Sequence, residues 1–134
     1  MTRWILLLLV WSRVTLAAPG PQTPGAVFPT ILSTTVCDPG YAGKMRNVTH
    51  ATKRRVCRSY GITTGCPGPG YEIDHLIPLS LGGSNDDKNL WPQPIADARE
   101  KDKLEFSLWL AVCAGKVGLD DARKQMTSWG KLPG

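Results

Sequence analysis

A chain of 134 residues is the size of one domain and leaves no room for two independent cores. Its apolar run Trp4–Trp11 is far shorter than the roughly 20 residues a bilayer span needs, which argues against stable membrane insertion. The 16 Lys and Arg against 11 Asp and Glu give a net charge of +5, a mild excess that becomes informative only through its placement.

Residues 1–18 have the grammar of a secretory signal peptide. Arg3 supplies a basic start, "WILLLLVW" an apolar centre, and "TLAA" small residues for cleavage, with the cut expected after Ala17 because Pro19 follows so closely. A secreted or periplasmic protein is therefore expected. The leader carries Arg3 and Arg13 and no acid, so the mature chain falls to +3. Its charge is segregated: between Asp38 and Glu72 no acid occurs, while Lys44, Arg46, Lys53, Arg54, Arg55 and Arg58 all do. A one-sign block suits a polyanion whose counterions it can displace, and it equally suits a solvated surface.

Residues 19–30 hold four prolines and two glycines and read as a tether. Ile31 to Val36 reads as a short strand or extended lead-in. The basic "THATKRRVCRSYGI" fits helix or strand, and periodicity does not choose. "TTGCPGPG" is a loop. Tyr71 to Ile77 alternates like a half-buried strand that Pro78 ends. Gly82 to Asp86 make a turn-rich loop. Asn89 and Leu90 open a very short second strand that Pro92 and Pro94 are expected to cut off.

A long helix follows, with Asp97 and Glu100 at capping-box spacing. Its inward stripe is Leu104, Leu108, Ala111 and Val112, widened by Phe106, Leu110 and Cys113, and Gly115 ends it. A further helix is expected from Asp120, its cap, to Trp129, with Leu119, Ala122, Met126 and Trp129 inward.

All four cysteines lie beyond the leader, and an even number in an oxidising compartment points to disulfides. Of three possible pairings, Cys37 with Cys113 and Cys57 with Cys66 is favoured: the second closes a short loop, and the first ties the domain start to its long helix. No pair has the C-x-x-C spacing of a zinc knuckle.

Within residues 71–94 the order is strand, loop, short strand, helix, with Asp74 and His75 at the end of the first strand. This resembles the HNH nucleases, whose ββα-metal unit carries D-H-x-x-P, then G-G, then N-L, then a helix; here the matching residues are Asp74, His75, Pro78, Gly82, Gly83, Asn89 and Leu90. The stretches "TVCDPGYAGKMR", "NLWPQP" and "KDKLE" are similar to small exported HNH-like proteins of bacteria. The resemblance implies an α+β fold, a ββα-metal (HNH-like) core with an added C-terminal helix, disulfide-stapled, as one domain over residues 31–134. It implies metal-dependent hydrolysis of nucleic acid, DNA before RNA, with low sequence specificity.

The chemistry gives each matched residue a task. Phosphodiester hydrolysis needs an activated water and positive charge at the developing oxyanion. The resemblance makes His75 the general base and Asp74 a ligand to one divalent ion, magnesium before zinc or manganese; Asn89 pins the loop and helps to hold the histidine. Where the pattern has a second helix ligand, this chain has Ala98, with Lys101 in place of the pattern's lysine. Asp102, one turn beyond Ala98, is the first substitute and Glu105 the second. Lys88, Arg99, Lys101, Arg54 and Arg55 are candidates for phosphate contacts. Trp91 and Tyr71 are candidates to stack on bases, although core packing explains them as well. His50 belongs to the basic block. The alternative is a catalytically inactive exported module, binding a polyanion or a protein partner on the same scaffold.

Overall fold

The computed structural model describes residues 17–131, so the expected leader lies, up to residue 16, outside the described residues. Among the described residues the fold is mixed α+β, with five α-helices and one two-stranded antiparallel sheet. In chain order the elements are α1 (Ser33–Val36), α2 (Tyr41–Met45), α3 (His50–Ser59), β1 (Tyr71–His75), β2 (Leu90–Pro94), α4 (Ile95–Cys113) and α5 (Leu119–Thr127). Among the described residues no helix is long and apolar enough to cross a membrane.

Ile31 to Val36, expected as a short strand or extended lead-in, is extended only at Leu32 and turns into the short helix α1 from Ser33 on. Among the described residues no strand pairs with it, so its β-branched residues have no ladder to join. The basic block resolves as helix: Thr49 caps α3 by accepting the Thr52 N–H at 3.1 Å. That helix buries Val56 and Cys57 and leaves Arg54, Arg55 and Arg58 exposed.

Strand β2 runs straight through Pro92 and Pro94, contrary to the expectation that they would stop it. The register pairs Glu72 with Gln93, Asp74 with Trp91 and His75 with Leu90, and the Leu76 N–H continues the ladder to Asn89 O at 2.8 Å. Residues 89, 91 and 93 thus turn their backbone groups toward β1. Prolines at 92 and 94 fall on the alternate positions, where the missing N–H faces the free edge and costs no ladder bond.

The segment expected as a tether is docked. Gly25 and Phe28 N–H groups donate to Lys88 O and Gly82 O, Ser84 N–H donates to Ala26 O, and Val27 bridges Gly83. Thr23 is buried and donates to Leu90 O at 3.0 Å. Proline-rich backbone with few donors is here held by single bonds to the loop between β1 and β2.

Helix α4 begins at Ile95, two residues before the expected cap, with Pro94 at its N-cap. Asp97 falls inside the first turn, where its carboxylate accepts the Ala17 N–H at 2.9 Å, and Glu100 pairs with Lys103. The buried stripe of α4 is Lys101, Leu108 and Val112, whereas Phe106 and Leu110 are 60% and 48% exposed. The helix ends at Cys113, and Gly115 follows with φ +71°. Helix α5 starts one residue before the expected Asp120, which makes no cap and pairs instead with Arg123 at 3.0 Å. Leu108, Val112, Ala122 and Met126 join Val36, Tyr41, Ile77 and Leu81 in the main core, and Leu76, Trp91 and Trp129 form a second cluster. Disulfides Cys37–Cys113 and Cys57–Cys66 are both present, as the pairing argument expected.

Candidate active site

The loop between the strands is built around Asn89, which is fully buried. Its Oδ1 accepts the Ile77 N–H at 2.9 Å and the Ala26 N–H at 3.3 Å, and its Nδ2 donates to Ile77 O and Ser84 O, both at 2.9 Å. One amide thereby satisfies four backbone groups that would otherwise be stranded. Gly83 completes the knot, since a Cβ there would collide with the Ile77 carbonyl. Asn89 therefore shapes the loop; its four hydrogen bonds go to backbone groups and none to the histidine ring.

The ring is held by Asn85, a residue that the sequence presented only as part of a turn. His75 is 5% exposed, and its Nε2 lies 3.0 Å from Asn85 Oδ1. The orientation of that amide is fixed independently, because its Nδ2 donates to Met45 O at 2.8 Å and its Oδ1 accepts the Asn47 N–H at 3.2 Å. An acceptor facing Nε2 requires the proton to sit on Nε2, which leaves Nδ1 with the free lone pair. Burial lowers the His75 pKa below the ordinary imidazole value, with Arg46 and Lys101 acting the same way against the Asn85 hydrogen bond and Asp74. The imidazole is thus neutral at pH 7 and able to accept a proton at Nδ1.

His75 lines a polar cavity of about 250 Å³ with Asp74, Glu72, Asp102, Glu105 and Arg46. Sequence reasoning placed Asp74, Asp102 and Glu105 here and offered Arg46 only as one member of the basic block; Glu72 was missed. Glu72 stands two residues before Asp74 on the same strand face, a signal that period-2 alternation carries. Arg46 arrives from the end of α2, and nothing local to residues 71–105 announces it. Burial raises the Glu105 pKa, opposed by Lys101 and by Ser80 Oγ donating at 3.0 Å, while Asp74 and Asp102 raise it further. Burial also raises that of Glu72, again with Asp74 and Asp102 adding to the effect.

Lys101 is not a phosphate contact. Its side chain is 1% exposed, and its ammonium is spent on Asp74 Oδ2 at 2.8 Å and His75 O at 2.9 Å. Trp91, 1% exposed, is a core residue and no stacking platform; its Nε1 donates to the same Asp74 oxygen at 3.1 Å. The other candidate cations lie off the cavity. Arg55 forms a two-pronged pair with Asp87 at 2.7 and 2.8 Å, Arg54 lines a pocket beside the Cys57–Cys66 disulfide, and Lys88 and Arg99 are exposed elsewhere. His50 opens α3 on the surface.

The four carboxylates suit a hard cation by chemistry but not by arrangement. Asp74 already shares one oxygen between Lys101 and Trp91, and among the described residues no three His, Cys, Asp or Glu side chains converge as a metal-binding group. No protein-family model, curated protein or solved structure matches this chain.

Proposed function

We propose that this protein hydrolyses phosphodiester bonds in nucleic acid, in the manner of the HNH nucleases it resembles, with His75 as general base. The observation that carries the reading is the fixed tautomer of a buried, neutral imidazole beside a polar cavity. The order β1, knotted loop, β2, α4 supports an HNH-like ββα core, since it puts Asp74 and His75 at one end of the hairpin and Asp102 and Glu105 across from them on the helix. In this reading Nδ1 takes the proton of an attacking water, Asn85 keeps the proton on Nε2, and the Arg46 guanidinium offsets charge developing on the phosphoryl oxygens. Lys101 holds the end of β1 against α4.

The divalent ion that the resemblance implies does not fit the side chains as they stand. Ligation by Asp74 would require that carboxylate to exchange Lys101 for the ion. The same pairing favours a second reading, an inactive nucleic-acid-binding module on an HNH-like scaffold. Nicking of supercoiled plasmid by the disulfide-intact protein, with Mg²⁺, Mn²⁺, Zn²⁺ or chelator, separates the two. Nicking by the wild type, lost in His75→Ala while DNA binding persists, is the expected result. Binding without nicking under every condition would establish the inactive module, and indifference to DNA and RNA would leave a protein partner.

A further inference from the structure

The cavity beside His75 does not end at Asp102 and Glu105. A second cavity of about 330 Å³ opens next to it and shares Ala42, Asp102 and Glu105 as walls. This volume lies within the ~300–1,000 Å³ of typical small-molecule sites. One wall is an aromatic pair on α4: the Phe106 and Trp109 rings are stacked, with centroids 6.2 Å apart and planes 24° apart. Trp109 is anchored by Nε1 donating to Val36 O at 3.0 Å. Phe106, by contrast, is 60% exposed, a large apolar ring that the core does not use. From α2 comes Gly43, where an added Cβ would meet only open space. Asp38 stands in the same lining.

We propose that this second cavity is a nucleobase subsite: a base of single-stranded nucleic acid enters between α2 and α4 and lies on the Phe106–Trp109 pair, while its phosphate sits in the adjoining cavity at His75 and Arg46. The proposal rests on the phosphodiesterase reading above. Charge sorts the two halves of the nucleotide. Asp102 and Glu105 border both cavities, but Arg46 lines only the one at His75, whereas Asp38 and the aromatic pair line only this one; carboxylates accept hydrogen bonds without donating them, which matches ring edges bearing amino groups. Cytosine and adenine therefore suit it better than thymine. A base can reach an aromatic wall only when it is outside the duplex stack, so single strands are preferred over double strands.

Fluorescence anisotropy with labelled oligo(dC), oligo(dT) and a duplex of equal length tests this on the disulfide-intact protein and two variants. Phe106→Ala removes an exposed ring, and Gly43→Leu adds a side chain at the cavity wall from a helical position without positive φ, where a Cβ meets no atom within 4 Å; circular dichroism checks that each folds. Each variant is expected to bind oligo(dC) about tenfold more weakly, and the wild type to rank oligo(dC) above oligo(dT) above duplex. Unchanged oligo(dC) affinity in both variants, or wild-type preference for duplex, overturns the subsite. Cleavage of the same oligonucleotides separates the two levels. A wild type that binds through Phe106 yet cuts nothing keeps the subsite and removes the hydrolase, whereas cutting that both variants leave unaltered keeps the hydrolase and removes the subsite.

Discussion

Lys101 and Asp74 form the pair on which the site's geometry most depends, and the pair can be dissected. Lys101 is 1% exposed and serves Asp74 Oδ2 and His75 O, while the Asp74 side chain keeps 17% exposure and a second donor in Trp91 Nε1. Removing one partner of a buried pair typically costs about 3–5 kcal/mol, because the other charge is left without water or counter-ion, whereas removing both together is often close to neutral. The two halves are not equivalent here. Asp74→Asn strands a fully buried ammonium and should fall toward the upper end, about 4 kcal/mol. Lys101→Met strands a carboxylate that retains some water and the indole N–H, so about 3 kcal/mol is expected. The double variant should cost about 1–2 kcal/mol, less than either single change. Urea unfolding of the four disulfide-intact proteins measures this, read as midpoint shifts at constant slope. Additivity within about 0.5 kcal/mol would show that the two charges do not depend on each other, and the reasoning would fail.

Four further outcomes are expected. The acid limb of kcat/KM should lie below the pH at which an unperturbed histidine titrates, since burial, Arg46 and Lys101 outweigh Asn85 and Asp74 at His75 with Glu72, Asp102 and Glu105 around it; a limb at or above that pH contradicts the assignment. Asn85→Ala should lower kcat about 10- to 100-fold with little change in KM, because the ring loses its enforced tautomer, and an unchanged kcat would remove Asn85 from that role. Replacing Cys37 and Cys113 by serine should destabilise by about 4.5 kcal/mol and replacing Cys57 and Cys66 by about 2.6, from sequence separations of 76 and 9; reversed ranks in urea titrations would refute the loop argument. Titration calorimetry with Mg²⁺ alone should give a dissociation constant weaker than about 10⁻⁴ M, and tighter binding would mean that the carboxylates do converge.

The elements easiest to read from the sequence were those whose period and punctuation agreed. Helix α5 places Ala122, Met126 and the following Trp129 inward as their spacing implies, and Gly115 marks the stop after α4. Where local signals conflicted with tertiary partners, the partners prevailed. Pro92 and Pro94 look like strand breakers until the register shows that both face the free edge. Pro19 to Thr30 has the composition of a linker, yet Gly25, Ala26 and Phe28 find polar groups on the β1–β2 loop and Thr23 finds the Leu90 carbonyl at the start of β2. Phe106 and Leu110 fit an apolar stripe on paper, but α4 buries a narrower face, and only the neighbouring elements decide how wide that face is.

At the site the same division has a chemical consequence. Asp74 and His75 were visible through the resemblance to the HNH pattern, and Asp102 and Glu105 because they follow that pattern's helix position, Ala98, by successive turns on one face. The fate of Lys101 was not visible, since spacing cannot tell an exposed lysine from a buried one. In the HNH reading, position 98 is where the helix would offer a ligand for a cation, and this chain has alanine there. One turn further along, the same helix sends its own ammonium to the Asp74 carboxylate. A fixed internal cation neutralises Asp74 without coordination, so any divalent ion must displace Lys101 or bind through Asp102, Glu105 and the substrate phosphate. Lys101→Met is therefore the variant in which Mg²⁺ affinity should rise while stability falls; a parallel fall in both would mean that the ammonium supports the carboxylate cluster and does not compete for it.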